Sequence, residues 1–98
     1  MTGNTMEEIY EYLEHGHEVE FEYLNKIYII QTNSINGESY LEIHDCESEN
    51  KCLYREYISK TPAMPISREK IDIVLNEKCL NGKSFMEAEA DIVVTVVY

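Results

Sequence analysis

Residues 18–44 read EVEFEYLNKIYIIQTNSINGESYLEIH, and this stretch decides the fold. Glu18-Val19-Glu20-Phe21-Glu22-Tyr23 alternates acids with large β-formers, the period-two pattern of a strand buried on one face. Asn25-Lys26 suits a two-residue turn into Ile27-Tyr28-Ile29-Ile30-Gln31-Thr32. Asn36-Gly37 suits a type I′ turn, whose central residues need positive φ, into Ser39-Tyr40-Leu41-Glu42-Ile43-His44. Two consecutive hairpins make an antiparallel meander. With both loops counted as two residues, Phe21 faces Ile30, Ile30 faces Ile43 and Thr32 faces Leu41. The inner face is then Val19, Phe21, Tyr23, Tyr28, Ile30, Leu41 and Ile43. The opposite face receives Glu18, Glu20, Glu22, Gln31, Glu42 and His44, with Ile27 and Ile29 among them.

Upstream, Thr5 and Glu8 have capping-box spacing, and Met6, Ile9, Tyr10 and Leu13 recur at helical intervals, so an amphipathic helix is expected before Gly16. Glu14 lies at the unfavourable end of that helix's dipole, and His15 and His17 at the favourable end for a cation. Downstream, 45–50 reads as a polar loop and Lys51–Ile58 as a fourth strand, which Pro62 and Pro65 terminate. A second helix is expected after Ser67, with Ile66 and Ile71 as a hydrophobic staple, a stripe continuing to Lys78 or Cys79, and Asn81-Gly82 closing it. Ser84 and Glu87 offer another capping box for a short helix through Ala90. Ile92–Tyr98 is uncharged and β-branched at six of seven positions, which predicts a strand covered on both sides or paired with another chain. The whole chain, 1–98, thus reads as a single α+β domain. It has an N-terminal helix, a meander of three to four strands, a helical segment over about 68–90 and a final strand.

Composition narrows the class further. Ninety-eight residues with 44% hydrophobic content can support one core but not two domains. The formal charge is −11, which disfavours direct binding to nucleic acid or to anionic membranes. Residues 1–50 hold twelve acids against Lys26 alone, whereas residues 51–98 hold seven of each sign. The N-terminus carries acids where a targeting peptide needs Lys or Arg, and no run of apolar residues is long enough to span a bilayer, so a cytoplasmic location is expected. Cys46, Cys52 and Cys79 are odd in number and irregularly spaced, which suits reduced thiols rather than a disulfide framework.

Gly16-His17-Glu18-Val19-Glu20-Phe21-Glu22-Tyr23, followed by Lys26, Tyr28 and Ile30, resembles small uncharacterised acidic proteins of Gram-positive bacteria and their phages. Asn81-Gly82-Lys83-Ser84-Phe85-Met86-Glu87 is similar to a helical segment of the same proteins. The resemblance implies a helix followed by a hairpin and carries no activity. The 45–66 segment and the apolar tail depart from it.

No catalytic fingerprint is present, and an enzyme is not expected. His44 and Cys46 lie two apart and share a strand face. With Cys52 they invite a metal or a Cys/His nucleophile, but a structural zinc site needs four ligands and a nucleophile pair needs an orienting third group. A thiol beside a surface histidine is the simpler reading, so no catalytic residue, metal or cofactor is assigned. Glu18, Glu20 and Glu22 form a row without a cleft, which argues against paired-carboxylate glycoside chemistry. Alternate strand residues are about 6.6 Å apart, close to two steps of about 3.4 Å along one DNA strand. A row of such acids can offer phosphate-like charge to a basic groove.

The sequence therefore points first to a non-enzymatic protein-binding module. Its partner is a basic protein surface, such as that of a nucleic-acid-binding defence enzyme inhibited in the manner of a phage anti-CRISPR protein or DNA mimic. The expected contact residues are Glu18, Glu20, Glu22, Glu42 and Tyr40. A second reading is a structural domain that homodimerises through Ile92–Tyr98, and a third is an enzyme or metal site using His44 and Cys46.

Overall fold

The computed structural model describes residues 1–60 and 65–98. Helix α1 (Met6–Glu14) is followed by strands β1 (Val19–Tyr23), β2 (Lys26–Ile35), β3 (Glu38–Asp45) and β4 (Lys51–Ser59). Helices α2 (Arg68–Leu75) and α3 (Phe85–Ala88) come next, then a 3₁₀ turn and strand β5 (Val93–Val97). The strands form one antiparallel sheet in the order β4-β3-β2-β1-β5. Its inner face is covered by the helices. Val19, Phe21, Tyr23, Tyr28, Ile30, Leu41 and Ile43 form one buried cluster with Ile9, Leu13, Ile71, Val74, Leu75 and Phe85. Phe21 anchors that core, stacked on Tyr28 and edge-on to Phe85 at 5.0 Å between ring centres.

The β2–β3 register is the expected one, with Ile30 opposite Ile43 and Thr32 opposite Leu41. The β1–β2 register is not. The turn is Leu24-Asn25 rather than Asn25-Lys26, both residues at positive φ, so Phe21 faces Tyr28 and Val19 faces Ile30. Leaving Lys26 out of the turn lets its ammonium reach Asp45 at 2.8 Å, while Leu24 projects into solvent. The slip is two residues in pairing, so every side chain keeps its expected face.

Helix α1 starts at the Thr5–Glu8 capping box, and His15 Nδ1 contacts the Glu11 carbonyl at its end. The misplaced charge of Glu14 is explained by tertiary structure, because Arg68 of α2 bridges Glu14 and Glu7 and lies over the Tyr10 ring. Helix α2 begins at Ser67 as expected but ends at Leu75, short of Cys79. The backbone and side-chain amides of Asn76 both donate to the Asp72 carbonyl and stop the helix, and the chain then turns inward to bury Leu80. Asn81-Gly82 is a tight turn at positive φ, with Leu80 and Lys83 paired across it, rather than a helix cap. The helical segment over 68–90 is therefore two helices separated by a turn. Pro62 lies outside the described residues; β4 ends before it, at Ser59.

The tail does form a strand, but at the sheet edge and not covered on both sides. It pairs with β1, and a bulge at Thr95 turns Val94 toward the core opposite Phe21 while Val96 faces outward opposite Glu20. Val96 is 39% and Tyr98 59% exposed. Thr2 bridges the outer edge at Val93. No helix among the described residues is long and apolar enough to cross a membrane.

Candidate functional site

The sheet face turned away from the helices is where chemistry-bearing side chains collect. Across it run three columns: acids on β1, isoleucines on β2, and a polar cluster shared by β3 and β4.

Strand alternation points Glu20 and Glu22 of β1, and Glu18 just before it, to this face, since Val19, Phe21 and Tyr23 are buried. All three acids are partly exposed, and among the described residues none of them takes part in an ion pair. Glu20 has local partners. The bulge aims Thr95 Oγ1 at its carboxylate, at 2.7 Å, and the Tyr98 hydroxyl lies 3.5 Å away. The Glu20 charge, with burial, raises the Tyr98 phenol above its ordinary value. The row is flanked by apolar side chains on both sides, Val93 and Val96 on β5 and Ile27 and Ile29 on β2.

Glu42 does not join that row. Gln31 and the rest of β2 separate it from β1, and its side chain is 0% exposed. It sits opposite Arg55 of β4, whose Nε donates to Oε2, while His44 Nε2 lies 2.6 Å from Oε1. Burial alone would push this carboxyl up, but His44 and Arg55 more than offset it and hold it below the ordinary carboxylate range. Tyr40 stays with Glu42 rather than with the acid row. Its ring meets Tyr57 edge-on at 5.7 Å, the Arg55 guanidinium lies 5.5 Å from its centre, and its hydroxyl donates to Glu38. Of the five expected contact residues, the structure brings together Glu18, Glu20 and Glu22, and places Glu42 and Tyr40 in a second, charge-balanced group.

The Cys/His pair is also rearranged. His44 Nδ1 lies 2.7 Å from the Asn50 carbonyl oxygen and Nε2 faces Glu42, so neither nitrogen is left for Cys46. Burial and the charges of Glu20, Asp45 and Glu47 raise the Cys46 thiol, which makes it a poor nucleophile. Cys52 is the sulfur that reaches His44. The Glu42, His44 and Cys52 ligand atoms all lie within 4.8 Å of one another. Cys52 is a candidate from the sequence, but its place opposite His44, and that of Arg55 opposite Glu42, depend on the β3–β4 register. The Asp45–Asn50 connection hides it, because its turn puts Glu49 as well as Asn50 at positive φ, a conformation that Glu does not signal.

On the helix side, Leu24, Lys26, Tyr28, Asp45, Leu53, Cys79 and Asn81 line a shallow cleft of about 340 Å³. Burial pushes the Cys79 thiol up to about 11, and Lys26 is already paired with Asp45, so the cleft presents no activated nucleophile or base. Comparison with protein-family models, curated proteins and solved structures returns no match. The reading of function therefore rests on the geometry of the uncovered sheet face.

Proposed function

We propose that the protein is a binding module whose outward acid row on β1 docks a positively charged segment of another protein. The observation that carries this reading is the row Glu18, Glu20 and Glu22, without an ion pair among the described residues, on a sheet face where the next carboxylate, Glu42, is given Arg55 and His44 as partners. Exposed acids are ordinarily interspersed with Lys or Arg for solubility, and parallel placement of three like charges about 6.6 Å apart costs stability. Flanking apolar columns add desolvatable contact area beside the charge, which suits a basic amphipathic segment better than a purely electrostatic encounter. A basic surface built for nucleic acid fits the charge row, and inhibition by occupying such a surface is the function that follows.

The test compares three forms: parent, Glu18→Gln/Glu20→Gln/Glu22→Gln, and a control with Glu8→Gln/Glu11→Gln on the helix side. Host proteins captured at low salt and eluted by salt are quantified for each. The proposal expects a partner retained by parent and control and lost from the β1 variant. Equal retention by all three would leave the row as a solubility device.

The exposed β5 edge supports a second reading, homodimerisation through Val93, Val96 and Tyr98. Two copies at −11 each repel, so this reading requires pairing that persists only at high salt. Sedimentation of the parent and of Val96→Lys across salt concentrations separates it from the first.

A further inference from the structure

We propose that Glu42, His44 and Cys52 form a binding site for a divalent cation of the zinc type, on the open sheet face between β3 and β4. Three observations carry it. The three ligand atoms fall within 4.8 Å of one another, and a tetrahedral zinc ion requires ligand atoms roughly 3.3–3.8 Å apart, given bonds of about 2.0–2.3 Å. Small side-chain adjustments on two paired strands suffice.

The second observation is the wiring of His44. Both of its ring nitrogens face oxygen acceptors, the Asn50 carbonyl at 2.7 Å and the Glu42 carboxylate at 2.6 Å. A neutral imidazole carries one N–H and can satisfy only one of them, so the other contact needs a cation, either a second proton or a metal ion. The Asn50 carbonyl can only accept, which assigns Nδ1–H to it and leaves Nε2 aimed at the cluster. An outer carbonyl fixing the tautomer of a ligating histidine is the arrangement metal sites use.

The third observation is the division of labour at Glu42. Arg55 engages Oε2, and Oε1 is the oxygen turned toward His44. A metal at Oε1 takes the place of a proton and leaves the Arg55 pair intact, so Glu42 binds through one oxygen. The β4 bulge at Leu53 is what brings Cys52 opposite His44. On binding, the Cys52 thiol gives up its long 3.4 Å contact with the Tyr54 carbonyl and releases its proton to solvent. Thiolate with imidazole selects a borderline-soft ion over magnesium or calcium, and three protein ligands leave one position open.

The experiment uses reduced, metal-free protein titrated with Co²⁺ and then with competing Zn²⁺. One equivalent of cobalt should produce tetrahedral visible bands and a thiolate-to-cobalt band, both erased by zinc. Cys52→Ser should remove the thiolate band and weaken binding more than about 100-fold, beyond the 10–100-fold typical of a lost outer partner. Cys46→Ser and Cys79→Ser should keep both. In the unmutated protein, zinc should slow alkylation of Cys52 and leave that of Cys46 unchanged, a readout no misfolded variant can imitate. The Glu18/Glu20/Glu22 glutamine variant should bind cobalt normally, which separates this site from the docking row. Absence of a cobalt spectrum at equimolar metal, a thiolate band surviving Cys52→Ser, or unprotected Cys52 would each overturn the proposal and leave a proton as the shared cation.

Discussion

Glu20 and Glu42 lie on one face of one sheet with a single strand between them, and the protein treats them in opposite ways. Glu42 is fully covered and receives both His44 and Arg55, whereas Glu20 is half-exposed and receives only neutral hydroxyls from Thr95 and Tyr98. Elsewhere the fold supplies cations to some of its acids. Arg68 serves Glu7 and Glu14, Lys70 serves Glu56, and Lys26 serves Asp45. The difference teaches that the excess negative charge is not spread evenly by default. Folding brings Arg55 and Arg68 of the balanced second half onto Glu42, Glu7 and Glu14 of the first half, and the β1 row is among the acids it leaves without an ion pair among the described residues.

The largest expected effect separates the two sides of strand β1 itself. Phe21, on the core side between Glu20 and Glu22, is 0% exposed and wedged between Tyr28 and Phe85. Phe21→Ala removes that volume and should cost about 3–5 kcal/mol in chemical denaturation, a large fraction of a small domain's stability. Its neighbours Glu20→Gln and Glu22→Gln should change stability by less than about 0.5 kcal/mol. A costly Glu22→Gln would mean that the outer row is structural after all.

A smaller effect tests the other column. Arg55→Ala leaves Glu42 with His44 at 2.6 Å and the weaker Asn33 amide contact at 3.5 Å. The Arg55 side chain is 43% exposed and water can enter its place, so the loss of stability should be well below that of Phe21→Ala yet larger than for a surface cation without an ion pair. Urea denaturation of Arg55→Ala beside Lys83→Ala, an exposed cation outside the salt bridges of the described residues, provides the contrast. Equal stability of the two would show that Glu42 is no more dependent on its cations than the surface acids are.

The two columns also differ in how readily the sequence revealed them. Alternation over 18–23 fixed which side chains of β1 face out, and parity protected that assignment even though the turn was placed one residue late. Leu in a positive-φ turn position is uncommon, and the Lys26–Asp45 pair that accompanies the Leu24-Asn25 turn is a long-range contact, which local pattern does not contain. Glu42 was read correctly as outward-facing and incorrectly as part of the acid row. Outward on a strand does not mean exposed when a neighbouring strand lays a long guanidinium over the side chain. Counting charge by halves of the chain hid this, because Arg55 belongs to the balanced half and meets Glu42 only through the β3–β4 register. The early end of α2 was hidden for a similar reason, since burial of Leu80 overrides an apolar stripe that continues to Cys79.

Acid titration sharpens the contrast between paired and unpaired carboxylates. At Glu56, the hydrogen bond from Tyr54 is the largest influence and, with Lys70, outweighs partial burial to hold the carboxyl below its ordinary 4.5. A carboxylate depressed on folding contributes stability above its unfolded value and loses it as the pH falls through the folded one. Denaturation midpoints should therefore drop below about pH 4.5, and Glu56→Gln should make that drop shallower while lowering stability at pH 7. An unchanged acid slope in Glu56→Gln would remove Glu56 from the groups that make the fold acid-sensitive.

The smallest expected effect on stability carries the most functional weight. Replacing Glu18, Glu20 and Glu22 together with Gln removes three like charges from one strand while keeping an oxygen acceptor for Thr95 at position 20, so β5 stays anchored. Removing along-strand repulsion should leave stability unchanged or raise it by less than about 0.5 kcal/mol. The effect should be visible at low ionic strength and fade above about 0.15 M salt, where the Debye length is about 8 Å, close to the spacing of the row. Thermal unfolding of parent and variant at two salt concentrations measures it directly. A gain that disappears with salt means the parent tolerates repulsion that glutamine would relieve, as a binding surface would. A loss of stability at both salt concentrations means the carboxylates themselves hold β5 in place, and the row is then a brace for the edge strand instead of a docking surface.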